Sequence, residues 1–472
     1  MRTPLHLALL ASSSLPPAAN SLVPPPPRWA SAVPGGAASG RRRGRIRPSA
    51  AIFELRAKKY ADKSRPVDEL LVDLDTKLDY DGRMPSKASS PSEVEGDGDS
   101  SDGSARPAHR CALLTILGVP NMGKSTLLNA LLGERLAIAT RRPQTTRHAI
   151  LGVVTTDHVQ LAVTDTPGII ADPAYGLQRG MMDAVRGAVN SADLFVVVTD
   201  VYSGRSKEGE EFDESLGVGD DMLDRLRRYG KPVVVMVNKA DLAAEADGGE
   251  GSAYENTPPM AVETVRAWRE ALPDAFAIVP CCAASGPSDP GVVALRSILL
   301  ANDPEVDVGG AIRDLGRPVP GMIAPKYGGM ISREDAAGIV PKGPPLYDAE
   351  FLTDRTDRFC ASELIRETLL EMLGKELPYC SEVRVVSFDE SKRDLEGRKA
   401  EIRIDAEILV ERKTQKGMVI GKGGAKVKEI GTDARARLEE FFGVTVHLGL
   451  EVKVDGGWRD DEERLKRYGY TS

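Results

Sequence analysis

The chain has 472 residues, 62 Lys and Arg against 70 Asp and Glu, and a net charge of −8. That length accommodates two or three domains with separate cores, and the acidic balance excludes a general nucleic-acid coat while leaving room for a local basic face. Its five cysteines include no CxxC pair, and with five scattered histidines they offer no spacing for a zinc or haem site, so free thiols in a reducing compartment are expected.

Read from the N-terminus, the first 53 residues hold seven arginines and no acid before Glu54. This composition predicts a transit peptide over 1–55, directing the chain to the chloroplast stroma or, alternatively, the mitochondrial matrix. The apolar run "LHLALLA" is too short to span a bilayer, although it has the character of a signal-peptide h-region; no later run is apolar over 18 residues, so no integral membrane insertion is expected. Residues 56–109, with "PSEVEGDGDSSDGSARP" near their end, read as a disordered acidic, Ser-rich linker.

From Cys111 onward, short β-branched runs alternate with helical stretches: "ALLTILG", "VQLAVTD", "DLFVVVTD", "PVVVMVNK" and "AFAIVP". The alternation predicts an α/β domain over 110–302 with a mostly parallel sheet covered on both faces. Residues 303–345 are rich in Gly and Pro with little periodicity and read as an interdomain insertion. Residues 346–472 follow the order αββααβ, which predicts a small α+β domain with an antiparallel or mixed sheet.

Within the first domain, "GVPNMGKS" (Gly118 to Ser125) fits GxxxxGK[ST] between a strand and the helix "STLLNALLG". Such a loop turns backbone amides toward phosphate oxygens at a helix N-terminus. The expected cradle is Gly118, Pro120, Asn121, Met122, Gly123, Lys124, Ser125 and Thr126, with Lys124 on the β and γ phosphates and the Ser125 hydroxyl on Mg2+. "DTPG" begins 41 residues beyond the lysine (165 − 124): Asp165 is expected to hold the metal through water and the Gly168 amide to reach the γ-phosphate. In "NKAD", Asn238, Lys239 and Asp241 follow an apolar strand. The Asp241 carboxylate accepts two hydrogens from guanine, whereas adenine offers it an acceptor; a buried charge left unpaired costs about 2 kcal/mol, so the nucleotide is GTP rather than ATP. "VPCCAAS" places Cys282-Ala283 where a base-contacting amide is expected, and Ala283 is the candidate. In "RRPQTTRHAI", a threonine should hold the metal and sense the γ-phosphate, Thr146 in preference to Thr145, while Arg141, Arg142 and Arg147 read as solvated.

These motifs, joined by "LTDRTDRFCASELIRE", "ELPY", "VIGKGGAKVKEIGTDAR" and "GGWRDDEERLKRYGY", resemble the Era GTPases, which join a G domain to a type II KH domain. The resemblance covers 111 to about 300 and 346 to 470. It implies that Gly421, Lys422, Gly423 and Gly424 form a GxxG loop where an RNA backbone approaches closely, flanked by Lys426 and other cations between Glu411 and Lys428. It further implies a monomeric GTP-hydrolysing switch that grips the 3′ end of small-subunit ribosomal RNA and assists assembly of the pre-ribosomal small subunit. A passive RNA-binding protein with a structural G domain is the alternative. Ile169 stands where many GTPases carry a water-orienting glutamine, so turnover is expected to be slow. Asn121 resembles the asparagine with which some relatives hold K+ near the phosphates. Lys124, Thr146 and Gly168 are the residues expected to act on the reaction itself, and Ser125, Thr146 and Asp165 to hold the metal. The block 303–345 is longer than the family's usual interdomain linker, which leaves domain orientation open at this level.

Overall fold

The computed structural model describes residues 109–140, 142–202, 220–242, 259–313, 315, 331–374, 376–393 and 400–470. The expected transit peptide, nearly all of the acidic linker, and Arg141 lie outside the described residues.

The first five strands read from the sequence form as β-branched runs buried on both faces, and they assemble with one more into a six-stranded sheet. In chain order the elements are β1 (Arg110–Leu117), α1 (Lys124–Leu132), β2 (Ile150–Thr155), β3 (Val159–Asp165), α2 (Gly176–Ser191), β4 (Leu194–Asp200), α3 (Asp220–Tyr229), β5 (Val233–Asn238), α4 (Pro259–Ala271), β6 (Ala277–Pro280) and α5 (Pro290–Leu299). The strand order is β2-β3-β1-β4-β5-β6. All pairings are parallel except β2 with β3. Every residue of β4 and β5 is buried, as a strand covered on both faces requires. Successive strands diverge to either side of β1, so the crevice at its carboxyl end is the place where an open α/β sheet binds ligands.

Next in the chain come α6 (Val308–Arg313) and α7 (Arg333–Ala337), which pack into the first core through Val308, Ile312 and Ala336; α7 carries a Ser332/Asp335 capping box. The chain then runs back along the first sheet. Gly343 donates to the His109 carbonyl (3.1 Å) and Val153 donates to the Leu352 carbonyl (2.8 Å). Buried Gln160 accepts from the Leu346 and Tyr347 amides at 2.7 and 2.9 Å. The Gly- and Pro-rich block therefore ends in a strap fixed by backbone hydrogen bonds, which leave no side-chain periodicity to read.

The third region has the anticipated order: α8 (Asp357–Met372), β7 (Ser381–Asp389), β8 (Glu401–Val410), α9 (Lys413–Ile420), α10 (Ala425–Phe442) and β9 (Thr445–Val454), followed by α11 (Glu462–Arg467). Its three-stranded sheet is mixed, with β7–β8 antiparallel and β8–β9 parallel. Ile365, Ile404, Ile408, Ile430 and Leu438 are fully buried in a core of its own. The segment after β9 joins the other core: Trp458, Leu465 and Tyr470 pack among the apolar residues of the first unit. Among the described residues no helix is long and apolar enough to cross a membrane.

Candidate nucleotide site and nucleic-acid interface

The loop from Gly118 to Gly123 leaves β1 at the crevice and turns into α1. Gly123 has φ 94°, and a Cβ there would stand 2.2 Å from Asn238 Nδ2, so only glycine fits between the loop and the end of β5. Asn121, exposed at the loop tip, also has a positive φ of 68°. Lys124 is buried and donates to the Val119 carbonyl at 2.9 Å, within the loop itself. Pro120 is backed by Gly168, and the Ile169 amide donates to the Gly118 carbonyl at 3.1 Å, so "DTPG" and the loop are one packed unit.

Three hydroxyl and carboxylate groups converge at the start of α1. Ser125 Oγ donates to Asp165 Oδ2 at 2.6 Å and lies 2.7 Å from Thr146 Oγ1. Asp165 is fully buried, and its other oxygen, Oδ1, has no hydrogen-bond partner among the described residues. A buried orphan carboxylate oxygen beside two hydroxyls is a hard-oxygen donor set, which suits Mg2+ rather than a softer metal. Burial pushes the Asp165 carboxyl up to about 6, against the pull of Lys124 and of hydrogen bonds from Ser125 and Thr146. Burial likewise brings the Lys124 ammonium down to about 8, opposed by Asp165. Both groups are thus held in states that an added cation and phosphate would relieve. Thr145 faces elsewhere, bonded to the Thr140 hydroxyl (2.8 Å) and the Arg142 carbonyl (2.7 Å).

On the base side, Asn238 ties three segments together. Its Nδ2 donates to the Met122 carbonyl at 2.8 Å, and its Oδ1 accepts from the Ala283 amide at 2.9 Å. The Ala283 amide is therefore engaged by Asn238, an arrangement the motif alone did not reveal. Lys239, with φ 60°, pairs with Asp200 at 2.9 Å. Asp241 meets the Cys282 thiol, whose protonated form is favoured by burial and by hydrogen bonding to that carboxylate. Thr126, half-buried, follows Ser125 in the first turn of α1.

Arg147 departs from the solvated side chain expected of it: it is 3% exposed. Its guanidinium donates to the Ser381 carbonyl and Glu382 Oε2, both at 2.9 Å, and to the Pro378 carbonyl at 3.2 Å. These acceptors, with the Tyr379 carbonyl at 3.4 Å, lie more than 230 residues away, at the start of β7 and in the turn just before it, so no local pattern announces them.

In the third region the GKGG loop joins α9 to α10. Gly421, Gly423 and Gly424 have φ of 71°, 59° and 79°, and the space beside the last two is open. Lys422 is exposed, while Lys426 pairs with Glu429 at 3.0 Å, an exposed contact of little strength. Beside the loop an open groove of about 680 Å³ runs between α10 and β9. Lys428, Thr432 and Arg435 line it from the helix, and Leu448 and Leu450 from the strand. Arg403, Asp405 and His447 also line it from the strands, so the helix wall is basic and the strand wall mixes apolar and charged side chains, a lining that suits a nucleic-acid single strand with phosphates on the basic wall. Lys428 belongs to the basic flank read from the sequence, while Thr432, Arg435, Leu448 and Leu450 were missed, although the 428, 432, 435 spacing marks one helix face.

Comparison with known proteins gives two family matches: residues 114–239 fit the model described as a 50S ribosome-binding GTPase, and residues 376–459 fit the KH domain. The chain is 35% identical over 368 residues to GTPase Era of Stenotrophomonas maltophilia, covering 78% of this chain and 99% of that protein. It is 31% identical over 362 residues to the chloroplastic GTPase ERA1 of Zea mays, covering 77% of this chain and 71% of the maize protein. Among solved structures, Era in complex with MgGDPNP and nucleotides 1506–1542 of 16S ribosomal RNA superposes with a TM-score of 0.57 at 26% identity, over 77% of this chain and all of that one.

Proposed function

The chain belongs to the Era family of GTPases, in an organellar form, and we propose that it is a switch that binds small-subunit ribosomal RNA when loaded with GTP and leaves after hydrolysis. It is a GTPase that pairs a P-loop G domain with a C-terminal KH domain, and its nucleotide ligand is GTP with Mg2+. The observation that carries the reading is the coexistence in one chain of the Ser125, Thr146 and Asp165 cluster around an orphan buried oxygen and the basic groove beside GKGG.

The proposed roles follow from the geometry. Lys124 leaves the Val119 carbonyl to neutralise the β and γ phosphates. Ser125 and Thr146 would hold Mg2+ directly and Asp165 through water, and the ion would supply positive charge against the phosphates. The Gly168 amide, held against Pro120, faces the γ-phosphate. Asp241 reads the guanine edge, with Asn238 and Ala283 shaping the pocket behind it. Ile169 brings no group that could orient water, so intrinsic turnover is proposed to be slow, and Asn121 would hold a K+ ion supplying positive charge near the phosphates. On the RNA side, the amides of Gly421 to Gly424 admit the backbone, and Lys422, Lys426, Lys428 and Arg435 neutralise it.

The RNA is proposed to be the 3′ end of small-subunit ribosomal RNA, by analogy with the bound fragment in the related Era complex, and the setting to be assembly of the small subunit. The chloroplast stroma is the proposed compartment, supported by the maize relative and the Arg-rich, acid-free start of the chain. We place the transit peptide at 1–55, the linker at 56–109, the G domain at 110–302, the insertion at 303–345 and the KH domain at 346–472, in a monomer. Phosphate release from GTP and ATP by the purified protein tests the enzyme: release from GTP alone, lost in Lys124→Ala, is expected. Equal release from ATP, or an active Lys124→Ala, would overturn it.

A further inference from the structure

Three consecutive residues after Thr146 are held from outside the G domain. Arg147 is gripped at the start of β7 by the Ser381 and Pro378 carbonyls and by Glu382, whose same oxygen also accepts from the Tyr470 hydroxyl. His148 stacks on Tyr470 with ring centroids 4.3 Å apart and meets the edge of Phe359 at 5.3 Å. The Ala149 carbonyl accepts from Arg355. The same C-terminal segment reaches the helix that follows "DTPG": Gly176 donates to Asp460 Oδ1 at 2.7 Å and Leu177 to the Arg459 carbonyl at 2.7 Å.

We infer that Arg147 is a positioning residue for GTP hydrolysis: anchored in the KH domain, it fixes the backbone of Thr146 so that its hydroxyl sits beside Ser125 and Asp165. The inference rests on the proposed role of Thr146. The physical argument is one of chain entropy. A loop free to move must be ordered each time Thr146 engages, and that lost chain entropy weakens the engagement. A neighbouring residue whose buried guanidinium is held by backbone carbonyls and by the Glu382 carboxylate has already been ordered. None of these acceptors belongs to a residue proposed to touch the nucleotide, so the cost is met in folding rather than in binding. The KH domain thereby supplies part of the site that distinguishes GTP from GDP, since a residue that senses the γ-phosphate has nothing to touch in GDP.

The test uses the full chain and compares wild type, Arg147→Ala, Arg147→Lys, Thr146→Ala and the double variant Thr146→Ala/Arg147→Ala. Affinities for GDP and for a non-hydrolysable GTP analogue with Mg2+ are measured alongside kcat and KM. The expectation for Arg147→Ala is unchanged GDP affinity, with GTP-analogue affinity and kcat each lower by about tenfold, within the usual range of coupling between sites. Arg147→Lys, which keeps charge but reaches fewer carbonyls, should lose less. The double variant should be no worse than Thr146→Ala, because Arg147 acts through that residue. Equal loss of GDP and GTP-analogue affinity, or additive losses in the double variant, would overturn the inference. If Arg147→Ala fails to fold, the Lys variant decides alone: an unchanged ratio of GTP-analogue to GDP affinity refutes it. If Thr146→Ala itself leaves GTP-analogue binding and turnover intact, the role of Thr146 is wrong, a separate failure.

Discussion

Replacing Asp165 by Asn should make the nucleotide-free protein more stable at pH 8 while ruining its use of Mg2+. Asp165 is fully buried, and burial raises its carboxyl to about 6 from the ordinary 3.8. Because the folded value lies above the unfolded one, the favourable contribution of the neutral carboxyl is complete below about pH 4 and is lost as pH rises through about 6. Above that, the ionised group costs roughly 3 kcal/mol, at 1.36 kcal/mol for each tenfold change. The amide never titrates, and its oxygen still accepts from Ser125; its NH2 replaces an oxygen that has no partner, at a cost of about 1 kcal/mol. The net expectation is a gain of about 1–2 kcal/mol at pH 8 in EDTA, with the advantage reversed or gone near pH 4, read from urea unfolding followed by circular dichroism. Affinity for the Mg2+-bound GTP analogue should fall by about 10- to 100-fold, as for other residues that hold a metal through an intervening group. A variant less stable than wild type at pH 8 in EDTA would refute the claim that desolvation dominates this carboxyl.

Wild-type Mg2+-dependent GTP binding should weaken as pH drops below about 6, where Asp165 takes up a proton; affinity constant from pH 8 to pH 5 would contradict that assignment. Asp241→Asn should lose GTP and gain xanthosine triphosphate in competition binding, since the amide donates where the carboxylate accepted, and an unaltered preference would remove Asp241 from the base. Initial rates in potassium chloride should exceed those in sodium chloride at equal ionic strength, and the difference should vanish in Asn121→Ala; equal rates in wild type would end the K+ proposal.

Much of this architecture was legible because parallel strands buried on both faces leave unbroken β-branched runs, and because phosphate and guanine recognition demand fixed residue types at fixed places. β2 was missed. Its run "ILGVVT" is interrupted by Gly152, where a Cβ would stand 2.7 Å from Leu132, so close packing of α1 onto the strand erased the strand signal. Arg147 was misread because its partners, backbone carbonyls and the Glu382 carboxylate, lie more than 230 residues away and are brought near only by the docking of the third region. The groove wall at Lys428, Thr432 and Arg435 was present as a helical spacing, but its function depended on Leu448 and Leu450 lying opposite. The strap after Val340 was illegible because its own main-chain groups make its bonds.

The central claim, a GTPase that grips RNA through the GKGG groove, is tested most directly by filter binding of an oligonucleotide from the 3′ end of small-subunit ribosomal RNA. Wild type is compared with the double variant Lys422→Asp/Gly423→Asp in the presence of the GTP analogue, with a scrambled oligonucleotide as control. Both substituted residues are exposed, and a side chain at position 423 points into open space, so the fold should survive, although aspartate at φ 59° carries some backbone strain. Tight wild-type binding that weakens as salt rises is expected, with severe loss in the double variant and GTP hydrolysis without RNA near the wild-type rate in both. A folded double variant that binds this RNA as tightly as wild type would contradict the claim.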